Sequence, residues 1–347
     1  MSSEIAASRR RQLFVLIALV VLMVLLVPLC LLVGAVDIPF AGVAGALVDS
    51  PDIPETWRVI VVEARLPMAL TAMMAGAALS VAGLLMQTVF DNPLAGPSIL
   101  GVSTGASLGV AIVMLAAGGA IASSLGNYIA TISGALAGAI TVLVVLLLMS
   151  HVVKSTTMLL LVGILTGYLA SSAISLLNFF ATQEGVHSFV IWGMGSFSGV
   201  TLDRLGVLAG VVAVLLLLSM LMVKPLDALL LGSRYARSLG VDVIVTRNRL
   251  LFLSGALTAV VTAFCGPIGF IGLVVPHIAR MAVATSRHAV LLPATALSGA
   301  VLAMGCALVS VLPGSIGVIP VNAITPVVGV PVIIYVIVAR KKLHYFN

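Results

Sequence analysis

The sequence predicts an all-α polytopic membrane protein, on three observations. First, 61% of its 347 residues are hydrophobic and only 8% are charged. Soluble domains carry about 25% charge, so this chain could not cover a water-facing surface. Second, apolar runs close to the ~20 residues that cross a bilayer recur along its whole length. Third, glycine is abundant, with 33 copies, which suits helices that pack backbone to backbone in lipid. A mean hydropathy of +1.29 agrees.

About ten transmembrane helices are expected, at roughly 13–33, 64–88, 95–117, 126–149, 157–180, 205–223, 249–268, 271–285, 290–312 and 322–339. The first follows Arg9, Arg10 and Arg11. Its apolar stretch is longer than a secretory h-region and no small-residue cleavage site follows, so it reads as a retained helix. The second, third, ninth and tenth contain or abut Pro and Gly, and the eighth is short. Pro93, Pro97, Gly266, Pro267, Gly269, Gly272 and Pro276 mark breaks in helices of both halves. Irregular backbone at membrane depth is tolerated only where protein or a cavity satisfies its polar groups, so these breaks predict a path. Their presence in both halves hints at an inverted repeat. The whole chain reads as one membrane domain, with an acidic, Pro-containing loop over about 34–63 and a basic loop over about 224–249 expected to form short polar helices.

The pI of 9.6 does not indicate nucleic acid, because the basic residues sit at helix ends. With ten spans and both termini on one side, fourteen of the seventeen Lys and Arg fall on the termini's side. Arg58, Arg65 and Arg204 fall on the other, together with seven of the eleven acids. The positive-inside rule therefore predicts cytoplasmic termini.

Several chemistries are absent. None of the four lysines follows a glycine, so there is no phosphate-cradling P-loop. Neither H-E-x-x-H nor G-x-S-x-G occurs. No acid lies between Asp91 and Glu184, or between Asp242 and Asn347. An ion-coupled transporter generally needs an intramembrane carboxylate or His chain, so a pump of this composition would draw its energy from another chain. Cys30, Cys265 and Cys306 are far apart in apolar runs and read as small core residues. No metal site and no cofactor is expected.

Four stretches, in order, resemble the FecCD/cobalamin-type permeases, the membrane subunits of type II ATP-binding-cassette (ABC) importers. They are RLPMALTAMMAGAALSVAGLLMQTVFDNPLAGPSILGVSTGASLG at Arg65–Gly109, WGMGSFSGV at Trp192–Val200, ARSLGV at Ala236–Val241 and GPIGFIGLVVPHIAR at Gly266–Arg280. The resemblance runs from about residue 60 to 340. It implies ten helices per subunit and a homodimer with a path on its two-fold axis. It also implies two ATPase subunits on the cytoplasmic side, an extracytoplasmic binding protein, and a bacterial inner-membrane location. The implied substrates are metal chelates, ferric siderophores first, with haem or cobalamin as alternatives. The competing readings are an ion-coupled secondary transporter or channel working without an ATPase, and a membrane enzyme or scaffold, which no catalytic cluster supports.

The resemblance also assigns residues. Arg234, Ala236, Arg237, Ser238, Leu239 and Gly240 match the segment that docks on the ATPase; Ser233 and Arg234 stand where relatives commonly carry an acid. Ser155, Thr156 and Thr157, after Lys154, match a cytoplasmic gate, and Ser and Thr there are equally ordinary helix caps. Arg65 matches an arginine that meets the binding protein, with Arg58 as a substitute. Met68 stands where a second basic residue is common, and no basic residue precedes the last helix. His277, a lone His beside a Pro, reads as structural rather than as a haem or iron ligand.

Overall fold

The computed structural model describes residues 2–116, 124–153, 155–312 and 317–342; Lys154 and the expected span end at 117 lie outside them, as do the side chains of Arg340, Lys341 and Lys342. The described residues are helical and contain no strand. In order, α1 (Ser2–Leu32) leads through α2 (Phe40–Leu47) and α3 (Glu55–Arg58), with a π-helical stretch Val59–Arg65, into α4 (Leu66–Val89). A 3-10 turn, Pro97–Leu100, precedes α5 (Val102–Ala111), which extends as a π turn to Ala116. Then follow α6 (Ser124–Val152), α7 (Thr156–Phe180), α8 (Gln183–Gly193) and α9 (Leu202–Leu221). The short α10 (Val223–Leu229) and α11 (Ser233–Ser238) precede α12 (Val243–Cys265), α13 (Ile271–Val283), α14 (His288–Val311) and α15 (Val321–Lys342).

A helix overlaps each of the ten expected positions. Most ends fall within a few residues, but α1 begins eleven residues before its expected start, α12 six before, and α5 seven after, because the first break occupies 90–101. Seven are long and apolar enough to cross a membrane; those at 102–115, 271–283 and 321–336 are shorter. Two of the short ones follow the breaks. At 1.5 Å per residue, α13 reaches about 20 Å against about 34 Å for α12, so its break lies part-way along the bundle. The 34–63 loop is more ordered than its composition suggests. Trp57, Ile53 and Ile60 pack with Ile38, Val43, Ala46 and Val61 as a small second core.

The bundle is centred on α4. The apolar window of the continuous helix Glu55–Val89 that ends in α4 is 78% buried, against 67% for α12, 56% for α14 and only 11% for Ala7–Leu32 of α1. Helix α4 packs on α14, α12, α13 and α9, while α12 packs on α6, α9 and α5. Lipid supplies no hydrophobic drive between helices, so close contact and interhelical hydrogen bonds must hold them. Both are present. A Cβ on Gly83 would sit 1.7 Å from the Gly272 carbonyl oxygen, so α4 and α13 cross backbone to backbone. Ser80 Oγ donates to the Thr295 carbonyl (3.0 Å), and Ser254 Oγ to the Ala82 carbonyl (3.0 Å).

Side-chain ties define two ends of the bundle. At the basic end, Arg11 donates to the Met281 and Ala282 carbonyls, and Arg247 to those of Ser150 (2.5 Å) and Val153 (3.2 Å). At the acidic end, the Arg204 guanidinium lies 3.5 Å from the Tyr128 ring centroid.

Candidate functional site: two abutting helix breaks and a hydroxyl-lined cavity

After α4 the chain turns at Asp91, which has φ 45°, and passes Pro93 and Pro97 before α5 begins. After α12 it turns at Gly266 (φ 74°) and Phe270 (φ 66°) before α13. Gly266 is required twice over: its φ is left-handed, and a Cβ would lie 2.5 Å from the Trp192 carbonyl oxygen. The two breaks touch. Gly272 faces the Pro97 ring so closely that a Cβ would come within 2.7 Å of it. His277, 3% exposed, donates from Nε2 to the Pro93 carbonyl at 2.7 Å. Gln87 donates to the Leu273 carbonyl at 3.1 Å. His277 thus ties one break to the other, and Pro276 is buried within α13.

Backbone freed by a break must find partners, since an unsatisfied buried polar group costs several kcal/mol in lipid. Asn322, at the head of α15, supplies them. Its Nδ2 donates to the Pro267 carbonyl (2.6 Å) and the Gly193 carbonyl (3.3 Å), and its Oδ1 accepts from Gly269 N–H (3.0 Å). Its own N–H donates to the Met194 carbonyl (3.3 Å), and Ser196 N–H donates to the Cys265 carbonyl (2.8 Å). WGMGSFSGV, GPIGFIG and the start of α15 therefore form one knot. The sequence reading missed Asn322; its signal was an amide just after Pro320, at the head of a short apolar helix.

Beside the knot lies a cavity of about 540 Å³. One wall is Ser98 with Ser103, Thr104 and Ser107 of α5; another is Pro267, Ile268, Gly269 and Phe270 of the second break. Ser171 and Ile174 of α7, Phe189 of α8, and Asn322 and Pro326 of α15 complete it. Its polar groups are hydroxyls and one amide, without a charge. A smaller cavity of about 160 Å³ lies where the two breaks meet, lined by Gly96–Ile99 of the first and by Ile268, Gly269, Phe270, Gly272 and Leu273 of the second. Among the described residues, no three His, Cys, Asp or Glu side chains are grouped to hold a metal.

The other predicted residues fall at the two ends. Ser155 caps α7, accepting from Met158 N–H (3.4 Å); it and Thr157 are exposed and Thr156 is half-buried. At the basic end, α11 exposes Arg234, Arg237 and Ser238, with Leu239 64% exposed, and buries Ala236 completely. Gly240 closes it at φ 81°, donating to the Arg237 carbonyl (3.0 Å), and Val241 N–H donates to the Ala236 carbonyl (3.0 Å). Asp242 then caps α12. At the acidic end Arg58 is exposed and paired with Asp49 at 3.0 Å. Arg65 departs from its expected place at the surface. It is 6% exposed, and its guanidinium donates to the Leu31 (2.7 Å), Leu32 (2.9 Å) and Val36 carbonyls, closing the open C-terminus of α1.

One tie joins the basic loop to the core. Asp227 of α10 accepts from the N–H of His288 (2.8 Å) and lies 2.8 Å from its Nδ1; the opposite ring nitrogen is 3.1 Å from Thr88 Oγ1 near the end of α4. His288 itself is fully buried.

The FecCD transport family model matches residues 21–339. The chain belongs to the FecCD transport family. Among its relatives are the vitamin B12 import system permease proteins BtuC of Salmonella arizonae and Salmonella typhi. They are 35% and 36% identical over 279 residues, which is 80% of this chain and 82% and 83% of theirs. A solved inward-facing metal-chelate type ABC transporter superposes with a TM-score of 0.79 at 30% identity, over 94% of this chain and 98% of that one. This FecCD protein is therefore a membrane-spanning permease of the ABC importer type, a transport subunit by family.

Proposed function

We propose that the chain, acting as one permease domain, forms half of a homodimeric path. Through it a metal chelate would enter a bacterial cell across the inner membrane: a ferric siderophore first, with haem or cobalamin as the alternatives. The observation that carries this reading is the uncharged, hydroxyl-lined cavity of about 540 Å³ beside the knot. Its hydroxyls and apolar walls suit a large, already chelated ligand that is handed over and released, because a strong site would hold the cargo back. The volume lies within the range of small-molecule sites, about 300–1,000 Å³. The cavity is bordered by α7 and α15. Both helices carry exposed apolar side chains, Phe179, Phe180, Val327 and Tyr335 among them, suited to a second copy.

Energy would come from two ATPase subunits on the basic end, whose cytoplasmic placement the positive-inside rule supports. They would engage Arg234–Gly240. Movement of α10 would pass through Asp227 and His288 to the ends of α14 and α4, and so to the breaks. The Ser155–Thr157 turn, at the start of the helix that carries Ser171 and Ile174, would close the path on that side. A binding protein would dock at the acidic end, where Arg58 rather than Arg65 is within reach.

Ser103→Trp and Ser171→Trp fill the cavity without touching either end. Both should abolish chelate uptake while ATPase assembly and ATP hydrolysis persist, measured in proteoliposomes holding the complete importer. Normal uptake in both variants would remove the cavity from the path.

A further inference from the structure

A second large concavity lies away from the path. Its volume is about 650 Å³, and it sits at the basic end between the ends of α6, α9 and α12. Leu147, Leu218, Leu221, Phe252 and Leu253 give it apolar walls. From Val245 to Leu253 the wall is about 12 Å deep, two turns of helix. At the rim stand His151, Asn248 and Arg249, and no carboxylate lines it.

The two arginines of R-N-R face opposite ways. Arg247 turns inward onto the α6 carbonyls, whereas Arg249 is exposed and makes no hydrogen bond or ion pair with the described residues. The Asn248 amide lies 2.6 Å from Ser150 Oγ, which ties it to the end of α6 beside the groove. Leu221 is 75% exposed, so the walls open outward rather than to the core.

We propose that this groove is a binding site for one anionic glycerophospholipid. Its phosphate would sit against Arg249 and the Asn248 amide, with an acyl chain along Leu218, Leu221 and Phe252. The case is charge complementarity. Among the described lining residues a guanidinium, that of Arg249, carries the one full charge of an apolar groove, at the end of the bundle where the basic residues gather. Basic pockets between membrane helices on that side recognise acidic headgroups. A peptide partner would leave the depth of the groove unfilled by charge-seeking contacts, and free phosphate would leave its walls bare. The proposal rests on the reading of the basic end as the cytoplasmic membrane boundary, not on the transport cycle.

The test uses the purified full-length chain in detergent with phosphatidylglycerol, phosphatidylcholine or inorganic phosphate added. Retained lipid is counted by native mass spectrometry and the thermal midpoint is followed. We expect one phosphatidylglycerol retained about fivefold more strongly than phosphatidylcholine, the worth of one Arg at such a surface. Only phosphatidylglycerol should raise the midpoint. Arg249→Gln should remove the preference while keeping the wild-type midpoint in phosphatidylcholine; Arg287→Gln, on the same end but outside the groove, should keep it. Leu218→Trp should weaken retention of both lipids. Equal retention of the two lipids, a preference that survives Arg249→Gln, or an equal midpoint shift from phosphate alone would overturn the proposal. Because no ATPase is present, such a failure leaves the transport reading standing.

Discussion

Asn322 shows how a single side chain makes a broken helix tolerable. It satisfies two carbonyls and one N–H that no helix claims. Asn322→Leu keeps the size and removes all three bonds. Leaving buried groups unpaired costs about 1–3 kcal/mol each, so the variant should lower the thermal midpoint and chelate uptake together. Asn322→Asp keeps the acceptor for Gly269 but sets a carboxylate against two carbonyls, and should fail in uptake nearly as badly. Gly83→Ala is the complementary packing test. Its Cβ would meet backbone at 1.7 Å, where no rotamer can relieve it, so destabilisation at or above the ~1–3 kcal/mol of ordinary overpacking is expected in thermal unfolding. At this scale the sequence was only partly legible. Pro93, Pro97 and Gly266–Pro276 announced breaks because Pro and Gly act on their own backbone. Asn322 did not, because its role lies in partners 53 and 129 residues away. Arg65 misled for the same reason: a cation at a helix end looks alike whether it faces water or a neighbour's carbonyls.

Among elements, the recurrent device is an arginine closing the C-terminus of a different helix: Arg65 on α1, Arg247 on α6 and Arg11 on α13. Open helix ends expose carbonyls and carry negative partial charge, so cations there stabilise. The charge census read these residues as orientation signals; the structure gives the same residues a packing role as well. The basic loop yields two predictions. Nothing lies within 4 Å of a Cβ at Gly240, so Gly240→Leu meets only the ~1–2 kcal/mol cost of left-handed backbone. The chain should fold, and in the complete importer ATP hydrolysis should continue with several-fold less uptake per ATP; an unchanged ratio would remove this segment from coupling. Asp227→Ala cuts the tie from α10 to α14. It should cost about 1.5 kcal/mol, the low end for a hydrogen bond to a charged group, and lower the same ratio. Asp227→Asn, which keeps an acceptor for the His288 N–H, should recover part of both.

For the whole molecule, hydropathy made the ten long or apolar helices legible in place, since each must be apolar over much of its length, but not the polar start of α1, the late start of α5 or the short α2 and α8. It did not say that α4, α12 and α14 form the buried centre while α1 lies at the edge. That order comes from small residues and hydroxyls meeting across helices, as Ser80 meets Thr295, and such pairs leave no periodic trace. The short α5, α13 and α15 likewise need the breaks explained before they make sense as parts of a path. What joins these levels is one claim: the chain supplies an uncharged route and takes its driving force from partners. The direct measurement is metal-chelate uptake by sealed proteoliposomes, with the binding protein added outside. The chain is compared alone under a proton or sodium gradient and together with its ATPase subunits and ATP. The account predicts uptake only in the second case, insensitive to collapse of either gradient. Sustained, gradient-driven uptake by the chain alone would contradict it.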